Sequence, residues 1–139
     1  MVSQPIIKKK INAIQHNLVR IKSCQPLSME EFLANDDIKD IVTHNLFVML
    51  QNVIDIGTHL ISDIGMEEPA FLSDIPELLL KGKVIPQELI GPLRSMIGLR
   101  NLIAHEYGDL DFKIIYRIVN ENIEDINTFL EAVIRYCKL

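Results

Sequence analysis

From Ile38 to Leu60 the chain sets apolar residues at Ile38, Ile41, Val42, Leu46, Met49, Val53, Ile56 and Leu60, with no proline among them. Steps of three and four are the period of an α-helix and foreign to a strand, which alternates every second residue. A stripe that long has to be covered by other helices. The remainder of the chain supplies them. Ile7, Ile11, Ile14, Leu18 and Ile21 follow at steps of four, three, four and three, predicting a first helix from about Pro5 to Cys24. Lys8, Lys9, Lys10 and Lys22 fall mainly off that stripe and read as a solvated face.

Local signals punctuate the pattern. Pro26 disfavours helix before it, and Ser28 followed three residues on by Glu31 is a capping box that starts a new helix. Asn35, Asp36 and Asp37 mark a break between that short helix and the long one, and Gly65 is the expected C-terminal stop. The Pro- and Gly-containing stretch that follows reads as a connection with one or two helical turns at 74–81. Helix resumes at Pro86, with Gly91 and Pro92 placed to bend it or delay its start. Leu89, Leu93, Met96 or Ile97, Leu99 or Arg100, and Ile103 then turn inward, and Gly108 ends the helix. Asp111 caps a single final helix whose apolar set is Ile114, Ile115, Ile118, Ile123, Ile126, Phe129, Leu130, Val133 and Ile134, continuing to Tyr136. The expected fold is all-α: one domain over residues 1–139, an antiparallel bundle of four main helices with one or two short extras.

Charge and cysteines narrow the function classes. A net charge of −5 excludes a protein that grips nucleic acid by broad electrostatic attraction, so any such contact is local or shared with a second subunit. Cys24 and Cys137 lie near opposite ends of the chain, with neither C-x-x-C spacing nor a disulfide framework, and read as idle thiols in a reducing compartment. No stretch resembles a signal peptide or a membrane span, so the expected location is cytoplasmic and no membrane partner is expected.

The polar residues that this framework leaves unexplained are concentrated in "RNLIAHEY", Arg100 to Tyr107. At about 100° per residue, Arg100 and Tyr107 lie about 20° apart, whereas His105 is about 140° from Arg100. Arg and His therefore converge only if the helix ends near Ala104 and His105 turns back, or if the same helix of a second subunit completes the site about a two-fold axis. Such a cleft suits metal-independent RNA cleavage by attack of the 2′-hydroxyl on the adjacent phosphorus. His105 would move the proton, and Arg100 would hold the phosphate and the charge that builds on it. Asn101 adds a donor and acceptor beside the Arg. The alternative is structural: Arg100 pairs with Glu106 or Asp109 on the surface, and His105 and Tyr107 form the polar end of a helix.

The same eight residues resemble the R-x4-H-x-Y signature of the HepT-like group of HEPN-domain toxins. The flanking helices, "IIKKKINAIQHNLVRI" and "DLDFKIIYRIVNENIEDINTFL", resemble that group's first and last ones. The resemblance implies an all-α homodimer whose paired motifs line a ribonuclease cleft, with Arg100 and His105 catalytic, Asn101 in support, and RNA, either tRNA or mRNA, as substrate. It also implies a nucleotidyltransferase antitoxin as partner, transferring AMP from ATP to Tyr107. An adenylate there would put negative charge and bulk where the RNA phosphate should sit. Gly98, just before the motif, has two readings: close helix approach at a dimer seam, or an incidental glycine.

Other polar pairs are weaker candidates. Asp40 with His44 and Asp55 with His59, each four apart, have the spacing of two metal ligands on a helix face, but read as ordinary helical pairs, and no metal is expected. His16 reads as a surface residue and Ser28 as a cap. Without a phosphate-binding glycine loop no cofactor is expected. Three functional readings stand: a toxin-type endoribonuclease, a non-catalytic HEPN-type module that binds a nucleotide or a protein, and a scaffold bundle whose polar cluster merely ends a helix.

Overall fold

The structure, a computed structural model, describes residues 4–24 and 27–139, and among them the chain is helical without a strand. Seven α-helices follow in order: α1 (Gln4–Lys22), α2 (Met29–Ala34), α3 (Asp36–Ile64), α4 (Ile75–Lys81), α5 (Ile90–Glu106), α6 (Phe112–Glu121) and α7 (Glu124–Cys137). Gln25 and Pro26, to which the sequence assigned the first break, lie outside the described residues.

The long α3 is the axis of the bundle. Its stripe is buried as expected, with Leu46, Met49, Ile56 and Leu60 fully enclosed against Ile7, Ile14 and Ile21 of α1 and against Phe129 and Val133 of α7 in one continuous core. Lys10 meets Asp55 while Asn17 meets Asn45, so α1 and α3 run antiparallel. The Asn pair is buried: Asn17 Nδ2 donates to Asn45 Oδ1 at 3.0 Å, and Asn45 Nδ2 donates back to the Ile41 carbonyl at 2.8 Å. A polar contact in an apolar seam is costly unless aligned, and thereby fixes the register of the two helices. On the other side, Gly57 lets α4 close on α3, since a Cβ there would stand 2.9 Å from Ile75 Cγ2.

The predicted boundaries at Ser28, Asn35, Gly65 and Asp111 are all present. Ser28 and Glu31 form a reciprocal capping box, Asn35 ends α2 and caps α3, and Asp111 accepts from the Lys113 N–H. Gly65 takes the left-handed conformation, φ 87°, that returns the last carbonyls of α3 to a backbone donor. Pro86 is extended and precedes a 3₁₀ turn, Gln87–Leu89, so α5 starts later than Pro86 itself. Pro92 falls in the first turn of α5, where its missing N–H costs no helical bond.

Two expectations are corrected. The last helix is divided at Asn122 and Ile123: Asn122 closes α6 by donating to the Ile118 carbonyl, and Glu124 and Asp125 open α7 at its electropositive N-terminus. Apolar periodicity ran across the joint because both helices face the same core, although Ile114 is 41% exposed. Lys10, read as solvated, is instead partly buried and bonded to α3.

Candidate functional site

Arg100 leaves α5 toward α3, which runs antiparallel to it, and is held there on three sides. Its Nε donates to Gln51 Oε1 at 2.8 Å, its Nη1 donates to Asn101 Oδ1 at 2.9 Å, and its guanidinium stands 5.7 Å from the centre of the Phe47 ring. The chain of bonds continues across α3 to α1. Gln51 Nε2 donates to Asp55 Oδ1 at 2.9 Å, and Lys10 Nζ of α1 lies 3.4 Å from Asp55 Oδ2. Arg100 is therefore not the surface partner of Glu106 or Asp109. It is a partly buried cation braced through three helices.

Tyr107 faces the same way. Glu106, at φ −130° and ψ 31°, leaves helical geometry, and Tyr107 opens a 3₁₀ turn, Tyr107–Asp109. With His44, Phe47, Ile103 and Ala104 it lines an open groove of about 370 Å³ between α3 and α5. Burial pushes its phenol above the usual tyrosine range, and the charge of Asp40 adds to that. At neutral pH the hydroxyl is protonated, and it remains accessible because the residue is 47% exposed.

His105 is elsewhere. Helix α5 continues through Glu106, which excludes a turn-back at Ala104 and leaves His105 exposed on the face away from α3. Gly91, Ser95, Gly98 and Leu102 share that outward face, and a Cβ added at Gly91 or Gly98 would meet nothing within 4 Å. The structure thus brings Arg100, Asn101 and Tyr107 together within one chain and does not bring His105 to them.

The remaining polar pairs are placed as well. Asp55 is turned to Gln51 and Lys10, His59 Nε2 lies 3.5 Å from Asp63 Oδ2, and His16 is exposed. Burial, with the Asp63 charge, raises the Cys137 thiol above its ordinary value, so it stays protonated and unreactive at neutral pH.

Gln51, Phe47 and Lys10 lie outside the residues that the sequence assigns to the site. A signal for the α3 side existed: Asp40, His44, Gln51 and Asp55 fall within a sector of about 60° on one helix. No comparable pattern marks Lys10, which had to be seen across the α1–α3 seam.

Residues 14–133 match the family model described as "Ribonuclease HepT-like". The chain belongs to the HepT-like family. Among its relatives, "mRNA nuclease HepT" of Shewanella oneidensis is 29% identical over 92% of this chain and 96% of that protein. "tRNA nuclease HepT" of Aphanizomenon flos-aquae is 24% identical over 94% of this chain and 89% of that one. The solved structure of the tri-AMPylated Shewanella oneidensis HEPN toxin in complex with MNT antitoxin superimposes with a TM-score of 0.84 at 28% identity, covering 96% of this chain and 98% of the toxin. No α-helix among the described residues of this HepT-like chain is long and apolar enough to cross a membrane.

Proposed function

We propose that the chain is the toxin of a HepT/MntA-type toxin–antitoxin pair, a homodimeric, metal-independent endoribonuclease of the cytoplasm that AMPylation of Tyr107 silences. The observation that carries this reading is the division of the motif. Arg100 is fixed on the α3 side of α5 while His105 stands on the outward face, unpartnered among the described residues. A second copy of the chain, related by a two-fold axis, would supply to each Arg100 the His105 that its own chain turns away from it.

In that cleft His105 of one chain takes the proton of the ribose 2′-hydroxyl, the oxygen attacks phosphorus, and the bond to the 5′-oxygen breaks with protonation of the leaving oxygen. The products are a 2′,3′-cyclic phosphate and a 5′-hydroxyl end. Arg100 contributes charge-assisted bonds to the non-bridging oxygens as negative charge accumulates on them. Asn101 acts through Arg100, by accepting from its Nη1.

Tyr107 is the acceptor for adenylate: its hydroxyl attacks the α-phosphorus of ATP, and pyrophosphate leaves. Because the phenol is protonated at neutral pH, that step needs a general base. The phosphodiester so formed adds negative charge beside the Phe47-stacked guanidinium, where the RNA phosphate is to bind.

The test is cleavage of total cellular RNA by purified protein in chelator, wild type beside His105→Ala, after intact mass has shown Tyr107 unmodified. Cleavage by wild type alone is the expected result. A verified unmodified dimer that binds RNA or a partner protein without turnover would replace this reading with a binding module.

A further inference from the structure

We infer that Gln51 is a positioning residue for the ribonuclease reaction: it aims the Arg100 guanidinium while leaving its positive charge unneutralised. The inference rests on the reading of Arg100 as the phosphate-binding cation.

The order of groups along the chain of bonds is its basis. From α5 across α3 to α1 it runs Asn101, Arg100, Gln51, Asp55, Lys10, with contacts of 2.9, 2.8, 2.9 and 3.4 Å. A guanidinium only donates and a carboxylate only accepts, so an amide between them has one possible orientation, Oε1 toward Arg100 and Nε2 toward Asp55. Gln51 thus cannot flip without losing both bonds. It fixes Nε, Asn101 fixes Nη1, and the guanidinium carbon stands over the Phe47 ring, so rotation about the last side-chain torsions is restrained at three points.

A carboxylate at position 51 could hold Nε equally well. It would also form a charge-assisted pair with the guanidinium and compete with the phosphate for the same donors. Here the carboxylate stands one residue further back, and its charge is matched by Lys10 rather than by Arg100. Nη2 and the second Nη1 hydrogen are left with no protein acceptor among the described residues, and these are the donors a phosphate can use. The neutral spacer keeps the geometry of an ion pair and withholds its charge.

The experiment compares Gln51→Met, close in shape and without an acceptor, with Gln51→Glu, which retains an acceptor for Nε, in the full-length dimer. Gln51→Met is expected to lower kcat roughly 10- to 100-fold, with KM moving much less, because a misaimed cation loses transition-state contacts first. In an Arg100→Lys background the same substitution should change the rate by less than about twofold, the non-additivity of residues that act as a unit. Gln51→Glu should fail to restore the rate although it is the closest in shape, which a merely structural role for residue 51 would not produce. The Nε–H of Arg100, followed by NMR hydrogen exchange, should exchange slowly in wild type and fast in Gln51→Met while both melt alike. Wild-type rates in Gln51→Met, full additivity with Arg100→Lys, or rescue by Glu would each overturn the inference. If wild type itself cleaves no RNA, the functional reading fails on its own, and the exchange measurement still decides whether Gln51 fixes the guanidinium.

Discussion

Helix α5 has two faces that were built in different ways. Toward α3, Arg100 and Tyr107 have every neighbour they need from the same chain: Gln51 and Phe47 for the Arg, Asp40 and the groove residues for the Tyr. Away from α3, Gly91, Ser95, Gly98, Leu102 and His105 form a surface exposed to solvent in the monomer. On the proposed reading, the phosphate-binding half of the site is a product of folding and the proton-transfer half comes from a second copy, so that a single chain would hold an incomplete site.

The largest effects break that comparison at its two chemical poles. His105→Ala should lower RNA cleavage by about 10²- to 10⁴-fold while changing unfolding free energy by no more than about 0.5 kcal/mol, since the side chain is exposed. Arg100→Ala should cost a similar factor in cleavage and, in addition, about 1 kcal/mol of stability, because Gln51 and Asn101 lose their donor. Urea titration beside a cleavage assay separates the two. Co-expression of the two variants supplies the sharper test: mixed dimers carry one intact Arg100 and one intact His105 on opposite chains and should regain activity that neither homodimer has. Mixed dimers that form and stay silent would mean that each chain uses its own pair.

Adjacent residues of the same helix give the next contrast. Ile103 is 2% exposed and Leu102 is 36% exposed, so one residue of sequence separates the core from the outward face. Ile103→Ala should destabilise the fold by about 2–5 kcal/mol, the cost of a cavity in a packed core. Leu102→Asp should leave the melting of the monomer nearly unchanged and shift the dimer toward monomer in light scattering, with loss of cleavage following the loss of dimer. A Leu102→Asp protein that remains dimeric would move the seam off this face.

Much of this was legible in the sequence, for identifiable reasons. The stripe on α3, the caps at Ser28, Asn35 and Asp111 and the stop at Gly65 are local signals, written within one or two turns of where they act. The 140° separation of Arg100 and His105 follows from the helical repeat alone, and α5 keeps that repeat through Glu106. What was not legible lies across seams. Nothing near Lys10 announces Asp55, and nothing near Arg100 announces Gln51, since the partners are 45 and 49 residues away. The break at Asn122 was hidden for the opposite reason: α6 and α7 both face the core, so the hydrophobic period continued through a joint that only the Asn122 and Asp125 backbone bonds reveal.

The smallest effect concerns the side of α5 that the fold completes. Tyr107 titrates above its ordinary value of 10.0 chiefly through burial, with the Asp40 charge as the lesser cause. The folded state therefore holds the phenolic proton after the unfolded chain has released it, and stability present below about pH 10 is lost as pH rises through the folded value. Asp40→Asn removes the charge and leaves the burial, so the Tyr107 value should fall part of the way back and stay above the ordinary one. The alkaline loss of stability should become shallower and not vanish. Tyrosine ring signals followed by NMR against pH would show it, with Tyr116 and Tyr136 as internal controls. An unchanged Tyr107 titration would mean that Asp40 does not act on the phenol.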